Sequence, residues 1–413
     1  MSRTATNNLD AVSGDGPVTA SSGGQTDRNV TATGSRDECR SSPPIVIVAG
    51  AIAPYTNRLY NAVGEQTGCD LRVLVCTGVE PQRQWQMPVA GNYRLEVLRG
   101  LRLHRSDLRN IYINPTVLWR LANIRPRAIL IGGFSPTMML AAAYARLTGT
   151  PLGVMTDGSV EMDPGQWSQM HRWMRQAVIP HAAVGIGASD NSIRLLQSYG
   201  LPAGRDVVVP IASPWPMPDT VPGFDERPFD VLFCGALEEQ RKGAAFFADV
   251  LIAAREAGRT LRARIAGDGP LRGEITDRLA AAGIPAHFDG YVQPAHLPEI
   301  YASSKLFLFP SRGDPWGLVA NEAMQCGTPV IGSSFAVSSG ELVEAYRAGC
   351  KLELDAGTWS STILELLADR ARWTEMHEGR ERARERLSLK ASVDRLSDAF
   401  AQISAPAAFN RTP

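Results

Sequence analysis

The feature that most constrains the fold of this chain is a regular alternation of short apolar runs with segments of helical periodicity. The runs have the length of buried strands, and the segments between them are long enough for crossover helices. This alternation is typical of parallel sheets covered by helices. In the first half the predicted strands are PIVIVAG (44–50), DLRVLVC (70–76), RAILIGG (127–133), PLGVMTD (151–157), AAVGIGA (182–188) and DVVVPI (206–211).

The alternation stops between residues 210 and 228, where six prolines occur, and then starts again. Proline fixes φ and lacks a backbone N–H, so this segment cannot continue a helix or a central strand. The strands predicted after it are FDVLFCG (229–235), RARIAG (262–267), AHFDGYV (286–292), KLFLFP (305–310) and PVIGSS (329–334). A charged helix is predicted near 364–387, followed by a further segment at 389–403.

We therefore predict an α/β protein of the doubly wound type, with two Rossmann-like domains that face each other across a cleft. The first 42 residues are rich in Ser, Thr and Gly and contain no apolar stretch, so they predict neither a secretory signal nor a core. The predicted organisation is a disordered tail (1–42), a first domain (43–213), a Pro-rich linker (214–228), a second domain (229–388) and a C-terminal helix and tail (389–413).

The composition excludes several classes of protein. No run approaches the ~18 apolar residues of a membrane-spanning helix. The 42 basic and 42 acidic residues give no net charge, which argues against a nucleic-acid-binding protein. The six cysteines occur singly, without a C-x-x-C pair, so the sequence suggests neither a zinc site nor a disulfide framework. A reducing cytoplasm is the expected location.

The most informative segment runs from residue 310 to 331, where a predicted strand ends, a loop turns and a helix begins near Gly317. Ligands of such sheets bind beyond the carboxyl ends of the strands, and the free N–H groups at a helix start suit a phosphate. Glu322 lies one turn further on and leans back, so its charged carboxylate is predicted to accept hydrogen bonds from a ribose. Asp314 precedes the helix. A capping or surface role is the alternative for both acidic residues.

Two further loops carry candidate ligand-binding residues. Arg241 and Lys242 stand before a helix, where two cations suit a diphosphate, although such a pair is often only solvated. Gly267, Asp268 and Gly269 follow another strand; this loop either admits a ligand closely or is only a tight turn.

From Asp230 to Ser333, the order FCGALEEQRKG, IAGDGPLR, FDGYV and LFLFPSRGDPWGLVANEAMQCGTPVI resembles the donor domain of the retaining GT-B glycosyltransferases of family 4 (glycosyl transferases group 1). The first domain resembles the family only in layout and in the turn at 53–58. The resemblance implies transfer of a sugar from a nucleotide diphosphate sugar to a hydroxyl acceptor: a glycan, a lipid-linked sugar or a small molecule. It implies no metal and no other cofactor.

The family's pair of acidic residues, E-x(7)-E, corresponds here to Asp314, which would face the transferred sugar, and Glu322, which would bind the ribose. The base would lie against the backbone of Tyr291 and Val292. The donor-binding residues that the resemblance implies or allows are Gly235, Arg241, Lys242, Gly267, Asp268, Gly269, Tyr291, Val292, Trp316, Gly317, Leu318, Val319 and Glu322. On the acceptor side the corresponding residues are Tyr55, Asn57 and Arg58.

The sequence departs from the family pattern at two places. Ala236 stands where the family commonly has an arginine, for which Arg241 is a candidate substitute. Residues 132–135 (GGFS) stand where many members have a histidine, so Asp157 in the sequence TDGS becomes the candidate for contact with the acceptor. Asp314, Glu322 and Asp157 are thus the candidate catalytic residues.

Two alternatives remain open for the function. One is a nucleotide-sugar epimerase or a phosphorylase of the same architecture, although a phosphorylase needs a pyridoxal-bearing lysine and the chain has only four lysines. The other is a non-catalytic nucleotide-sugar-binding protein. Residues 165–178 place Trp167, Met170 and Met174 on one helical face, which suits either a core or peripheral contact with the inner membrane.

Overall fold

A computed structural model describes residues 42–78, 90–106, 109–314 and 316–404 of the chain. Its first half contains the strands β1 (Ile45–Ala49), β2 (Leu71–Val75), β3 (Arg94–Val97), β4 (Leu101–Ser106), β5 (Arg109–Ile113), β6 (Ala128–Gly132), β7 (Leu152–Thr156), β8 (Val184–Gly187) and β9 (Asp206–Val208). The helices there are α1 (Pro54–Thr67), α2 (Thr116–Ile124), α3 (Pro136–Thr148), α4 (Gln169–Val178) and α5 (Asp190–Ser198).

The first sheet has the strand order β3-β2-β1-β6-β7-β8-β9, and all its pairs are parallel. The central strand β1 is buried on both faces. Ile45 and Ile47 pack into one apolar cluster, whereas Val46 and Val48 pack into another on the opposite face. Strands β4 and β5 form a separate antiparallel hairpin.

The second half contains β10 (Phe229–Cys234), β11 (Ala263–Ala266), β12 (Ala286–Gly290), β13 (Ser304–Phe309), β14 (Val330–Ser333) and β15 (Gly349–Leu352). Its helices are α6 (Ala244–Glu256), α7 (Arg272–Ala281), α8 (Leu297–Ala302), α9 (Leu318–Gln325), α10 (Ala356–Ala368), α11 (Arg370–His377) and α12 (Gly379–Ala383). The strands form a parallel sheet in the order β12-β11-β10-β13-β14-β15. Two parallel, helix-covered sheets confirm the predicted doubly wound architecture.

The last helix, α13 (Leu389–Ser404), returns to the first sheet. Its apolar residues Leu396, Phe400 and Ile403 belong to the same buried cluster as Ile45 and Ile47 of β1. The end of the described chain therefore completes the core of the domain that the chain forms first.

The predicted strands coincide with observed ones, but the pattern missed β3, β4, β5 and β15, which are short or lie outside the regular alternation. The single charged helix predicted at 364–387 is wrong. The chain there forms the end of α10 and then α11 and α12, because Asp369 ends the first helix and its carboxylate accepts the N–H of Arg372 at 2.9 Å, which caps the second.

Cys69 is disulfide-bonded, which the isolated spacing of the cysteines does not indicate, whereas Cys76, Cys234, Cys326 and Cys350 are free thiols. Within the described part of the chain, each helix is too short or too polar to cross a membrane.

Candidate active site

The candidate site lies at the carboxyl edge of the second sheet, where the strand order reverses between β10 and β13. Such a reversal opens a crevice between the loops that leave the two strands. These loops, residues 235–243 and 310–317, are joined by backbone: the N–H of Arg312 donates to the carbonyl oxygen of Arg241 at 2.9 Å. The two sequence segments singled out above are therefore neighbours in space.

Lys242 and Asp314 form an ion pair across these loops, with 2.8 Å between Nζ and Oδ2. Both side chains are largely sheltered from solvent, at 16% and 18% exposure. The other carboxylate oxygen of Asp314 accepts the N–H of Gly317 at 2.8 Å. One carboxylate oxygen of Asp314 thus binds Lys242, and the other stabilises the turn into α9. Asp314 therefore both caps the helix and lies in the candidate site.

Gly317 begins α9 with a left-handed backbone, at φ 78°. A Cβ at this position would lie 2.5 Å from Ser338 Oγ, so the turn requires glycine. The following N–H groups of Leu318 and Val319 belong to the first turn and have no intrahelical acceptor. They lie at the positive end of the helix dipole, close to the Lys242 ammonium, and this arrangement suits an anion.

Glu322 lies one turn into α9, and only 4% of the residue is exposed. Tyr301 Oη donates to its Oε2 at 2.8 Å. Burial raises the pKa of this carboxyl to about 8, although the Tyr301 hydrogen bond acts in the opposite direction. Burial therefore favours the protonated form of this carboxyl in the protein without ligand.

Arg241 is engaged within its own loop. Its Nε lies 3.2 Å from Glu238 Oε1, and about a third of each side chain is exposed. A ligand that used Arg241 would therefore have to compete with this glutamate. The structure brings Lys242, and not Arg241, to the start of α9.

The loop of Gly267, Asp268 and Gly269 packs directly against the backbone of residues 235–237. Gly267 has φ 148°, and a Cβ there would overlap the carbonyl oxygen of Gly235. The carbonyl oxygen of Asp268 accepts the N–H of Leu237 at 2.9 Å. The contact between the two loops thus accounts for glycine at 267.

Three residues expected near the base or the sugar have different environments. Tyr291 is 39% exposed at the end of β12, and Val292 packs against the apolar cluster that contains Tyr301. Trp316 is only 3% exposed, and its indole lies in a buried cluster with Ala188 of the first domain. The Trp316 indole is therefore a core side chain, and no pattern in the sequence separates it from a ligand contact.

Asp157 follows β7 and faces the second domain across the cleft. Its side chain touches solvent, so it lies on a cleft wall and not in the core. Surrounding protein atoms raise the pKa of its carboxyl by desolvation, and the negative charge of Asp314 raises it further. Met162, in the loop that follows Asp157, reaches Gly313 of the opposite domain. The structure thus brings two of the predicted catalytic residues, Asp157 and Asp314, to facing sides of one cleft.

The predicted acceptor residues lie at the start of α1 and have protein partners. Arg58 Nη1 donates to the carbonyl oxygen of Ser213 at 2.9 Å and also to that of Trp215. Asn57 Oδ1 accepts the hydroxyl of Tyr93 at 2.7 Å. Tyr55 is half-buried beside them. Arg58 therefore fixes the start of the proline-rich linker, a role that sequence reasoning did not assign to it.

Sequence reasoning also missed Tyr301 and Glu341. The carboxylate oxygens of Glu341 accept the N–H groups of Asp190 (3.1 Å) and Asn191 (2.8 Å) at the start of α5 in the other domain. In the sequence only Ser189, a typical N-cap residue, indicates that a helix starts there. Nothing around Glu341 indicates that it binds this helix start. Across the described ranges, no group of three or more His, Cys, Asp or Glu side chains is placed to hold a metal ion.

The two parallel sheets and the crevice between them define the protein as a member of the GT-B class. Residues 228–369 match the family described as glycosyl transferases group 1, and residues 50–212 match the glycosyl transferase 4-like domain. The chain belongs to this family, the family 4 glycosyltransferases, whose members are retaining. The resemblance stated from the motifs is confirmed.

Relatives and solved structures agree with this assignment. The chain is 30% identical over 234 residues to the D-inositol 3-phosphate glycosyltransferase of Gordonia bronchialis, covering 50% of this chain and 49% of the relative. It is 33% identical over 121 residues to the GDP-mannose-dependent alpha-(1-6)-phosphatidylinositol dimannoside mannosyltransferase of Mycobacterium tuberculosis, covering 29% and 31%. This chain thus matches about half or less of each relative's length.

Among solved structures, Anabaena HepE in complex with UDP has a TM-score of 0.68 with 16% identity, over 87% of this chain and 99% of that chain. At 16% identity, this similarity shows a shared fold and nothing more.

Proposed function

We propose that the protein transfers a sugar, with retention, from a nucleotide diphosphate sugar to a hydroxyl acceptor. The observation that carries this proposal is the Lys242–Asp314 ion pair at the amino end of α9, with the buried carboxyl of Glu322 one turn further on. The Lys242 ammonium and the start of α9 would bind the diphosphate. The Glu322 carboxyl, one turn further on, would bind the ribose that follows it.

In this proposal the diphosphate lies against the N–H groups of Leu318 and Val319 and the Lys242 ammonium. As the bond between the sugar carbon and the phosphate oxygen breaks, negative charge grows on the diphosphate. The helix dipole and the ammonium stabilise that charge without reorganisation, which is the large term in catalysis of this kind. We infer that no metal is needed for this stabilisation, and that no other cofactor takes part.

The nucleoside occupies the other half of the site. Glu322 holds the ribose hydroxyls, and the backbone of Tyr291 and Val292 lies against the base. The mycobacterial relative is GDP-mannose-dependent by its name, and the Anabaena structure contains UDP. Thermal stabilisation by UDP-, GDP- or ADP-sugars identifies the base.

The acceptor approaches from the first domain, where Asp157 faces Asp314 across the cleft. The new bond joins the acceptor oxygen to the sugar carbon on the face that the diphosphate leaves, and the acceptor proton passes to a phosphate oxygen of the leaving group. Asp157 orients the acceptor hydroxyl. The acceptor carries a hydroxyl group and is a glycan, a lipid-linked sugar or a small molecule, in the cytoplasm or at its membrane surface.

The proposal is tested by incubating the full chain with a panel of UDP-, GDP- and ADP-sugars and measuring thermal stabilisation. The stabilising donor is then mixed with polyol acceptors, and release of nucleoside diphosphate is measured with and without EDTA. Release that requires the acceptor and persists in EDTA supports the proposal. Conversion of the donor sugar without release would identify an epimerase, and stabilisation without any turnover would identify a binding protein.

A further inference from the structure

A second cavity lies away from the cleft, at the amino edge of the first sheet. It has a volume of about 670 Å³ and opens between α3, the end of α4 and the end of α13. Met139, Leu152, Val178 and Ile403 contribute apolar walls. The cleft lies at the carboxyl edge of the same sheet, so this cavity plays no part in the proposed transfer site.

Basic groups stand among these apolar walls. Arg146, His181 and Arg205 line the cavity, and the residues that line it include no aspartate or glutamate. Arg146, His181 and Arg205 are all exposed residues, and Arg205 Nη1 donates to the carbonyl oxygen of Ala182 at 3.0 Å. Apolar walls with arginines among them, and no carboxylate among the described lining residues, are complementary to an anionic amphiphile.

An exposed apolar stripe leads along α4 to this cavity. Met170, Trp173 and Ala177 stand at positions i, i+3 and i+7, so they share one face of the helix. Met170 and Trp173 are 61% and 64% exposed, and Ala177 lines the cavity itself. Met174, which the sequence pattern placed on the same face as Met170, is buried instead.

Two further apolar side chains near α4 and the cavity are exposed. Trp167, just before α4, is 70% exposed, and Leu147, at the end of α3 beside the cavity, is 87% exposed. In α4, Arg172 is exposed, whereas Arg175 is buried and its Nε lies 2.8 Å from Asp163 Oδ1. The exposed basic groups near the tryptophans are therefore Arg172 and those that line the cavity. Exposed tryptophans beside basic groups are the composition of a surface that lies in the interface of an anionic bilayer.

We propose that this face of the first domain docks on a membrane containing anionic lipids, with one lipid headgroup held in the cavity by Arg146, His181 and Arg205. The stripe on α4 lies among the acyl chains next to that headgroup. Helix α4 starts near the carboxyl edge of the first sheet, where Asp157 lies, and ends at the cavity at the amino edge. A docked membrane would therefore run alongside the first domain toward the acceptor side of the cleft.

The experiment uses the full chain with vesicles of phosphatidylcholine alone and of phosphatidylcholine mixed with phosphatidylglycerol in equal parts. Binding is followed by co-sedimentation and by the tryptophan emission maximum. We expect binding to the mixed vesicles with a blue shift, and weak binding to phosphatidylcholine. Arg146→Glu removes one positive charge and adds one negative charge, so it should weaken binding by about 10- to 30-fold. Arg259→Glu, an equal charge change at an exposed position of the other domain, should leave binding unchanged.

Two further variants distinguish binding of a headgroup in the cavity from general electrostatic attraction to a negatively charged membrane. Ala143→Trp fills the cavity from an exposed position of α3 without changing a charge, and it should abolish the preference for phosphatidylglycerol. Trp173→Gln should weaken binding to both kinds of vesicle, whereas Trp119→Gln, a tryptophan 62% exposed on α2, should not. Melting temperatures establish that each variant is folded, and Arg146→Glu keeps the test open should Ala143→Trp not fold.

Equal binding of the wild type to the two kinds of vesicle would overturn the proposal. So would an unchanged lipid preference in folded Ala143→Trp or in Arg146→Glu. Stabilisation of the protein by inorganic phosphate without any vesicle binding would show a simple anion site and would also overturn it. None of these outcomes depends on glycosyl transfer, so the result is independent of the proposed function.

Discussion

Lys242 Nζ lies 2.8 Å from Asp314 Oδ2, and this ion pair ties the loop after β10 to the loop after β13. A second lysine–aspartate pair has the same geometry elsewhere in the domain: Lys305 Nζ lies 2.8 Å from Asp230 Oδ1, with similar shelter from solvent. Lys305 stands near the start of β13 and Lys242 beyond the carboxyl edge. The two pairs share their geometry and their shelter from solvent and differ in their distance from the crevice, so one serves as a control for the other, although Lys305 also lies over the ring of Phe224.

Lys242→Ala should weaken nucleoside diphosphate binding by about 10- to 150-fold, because a charged hydrogen bond is worth roughly 1.5 to 3 kcal/mol. Isothermal calorimetry with the donor's nucleoside diphosphate measures this loss. Lys305→Ala removes an ion pair of the same length near the start of β13, away from the crevice, so its nucleotide affinity should stay at the wild-type value. Equal losses in the two variants would show a general effect on the domain.

Asp314→Asn should reduce sugar transfer and leave the affinity for free nucleoside diphosphate nearly unchanged. The asparagine oxygen still accepts the N–H of Gly317, so the turn into α9 persists, while the charge facing the sugar is lost. The comparison is between turnover with saturating donor and calorimetric affinity. A parallel fall in both quantities would assign Asp314 to the shape of the loop alone.

The fold was predictable because its signals are local. Strands such as β1 and β13 are short apolar runs with turn residues at both ends, and parallel sheets bury such runs on both faces. The short strands β3 and β15 and the break at Asp369 were not predictable in this way. Their length or position depends on tertiary pairing, which a local pattern does not contain.

The site was predictable where sequence neighbours also act together, as with Asp314 and the turn at Gly317. It was not predictable where the partner comes from a distant segment. Tyr301 is 21 residues from Glu322, and nothing in either segment indicates their contact or the burial that raises the pKa of the glutamate. For the same reason, the sequence could not show that Trp316 points into the core.

Glu341→Gln should lower the stability of the protein by about 1 to 3 kcal/mol, since a charged acceptor is lost at the start of α5. Its carboxylate accepts two N–H groups of the other domain and lies 3.3 Å from Arg194 Nη2. Urea unfolding measures the loss. Glu365→Gln, on an exposed face of α10, is the control. Wild-type stability in Glu341→Gln would mean that this contact between the domains contributes nothing.

Glu322→Gln should change the pH dependence of stability in a defined direction. The pKa of Glu322 is about 8 in the folded protein, against an ordinary value of 4.5. The folded state therefore binds the proton more tightly than the unfolded state does. The resulting stabilisation is fully present below pH 4.5 and is lost as the pH rises through 8, with a slope near 1.4 kcal/mol per pH unit between the two values.

Glutamine resembles the protonated carboxyl and still offers an oxygen to Tyr301, but it does not titrate. The free energy of unfolding of the wild type should therefore fall relative to that of Glu322→Gln as the pH rises, and the difference should become constant above about 8. Urea unfolding of both proteins from pH ~5 to ~9 measures this difference. A constant difference over the whole range would show that Glu322 is ionised in the folded protein. The ribose would then meet a carboxylate, as the motif alone had suggested, and Glu322→Gln would be expected to weaken nucleotide binding at neutral pH.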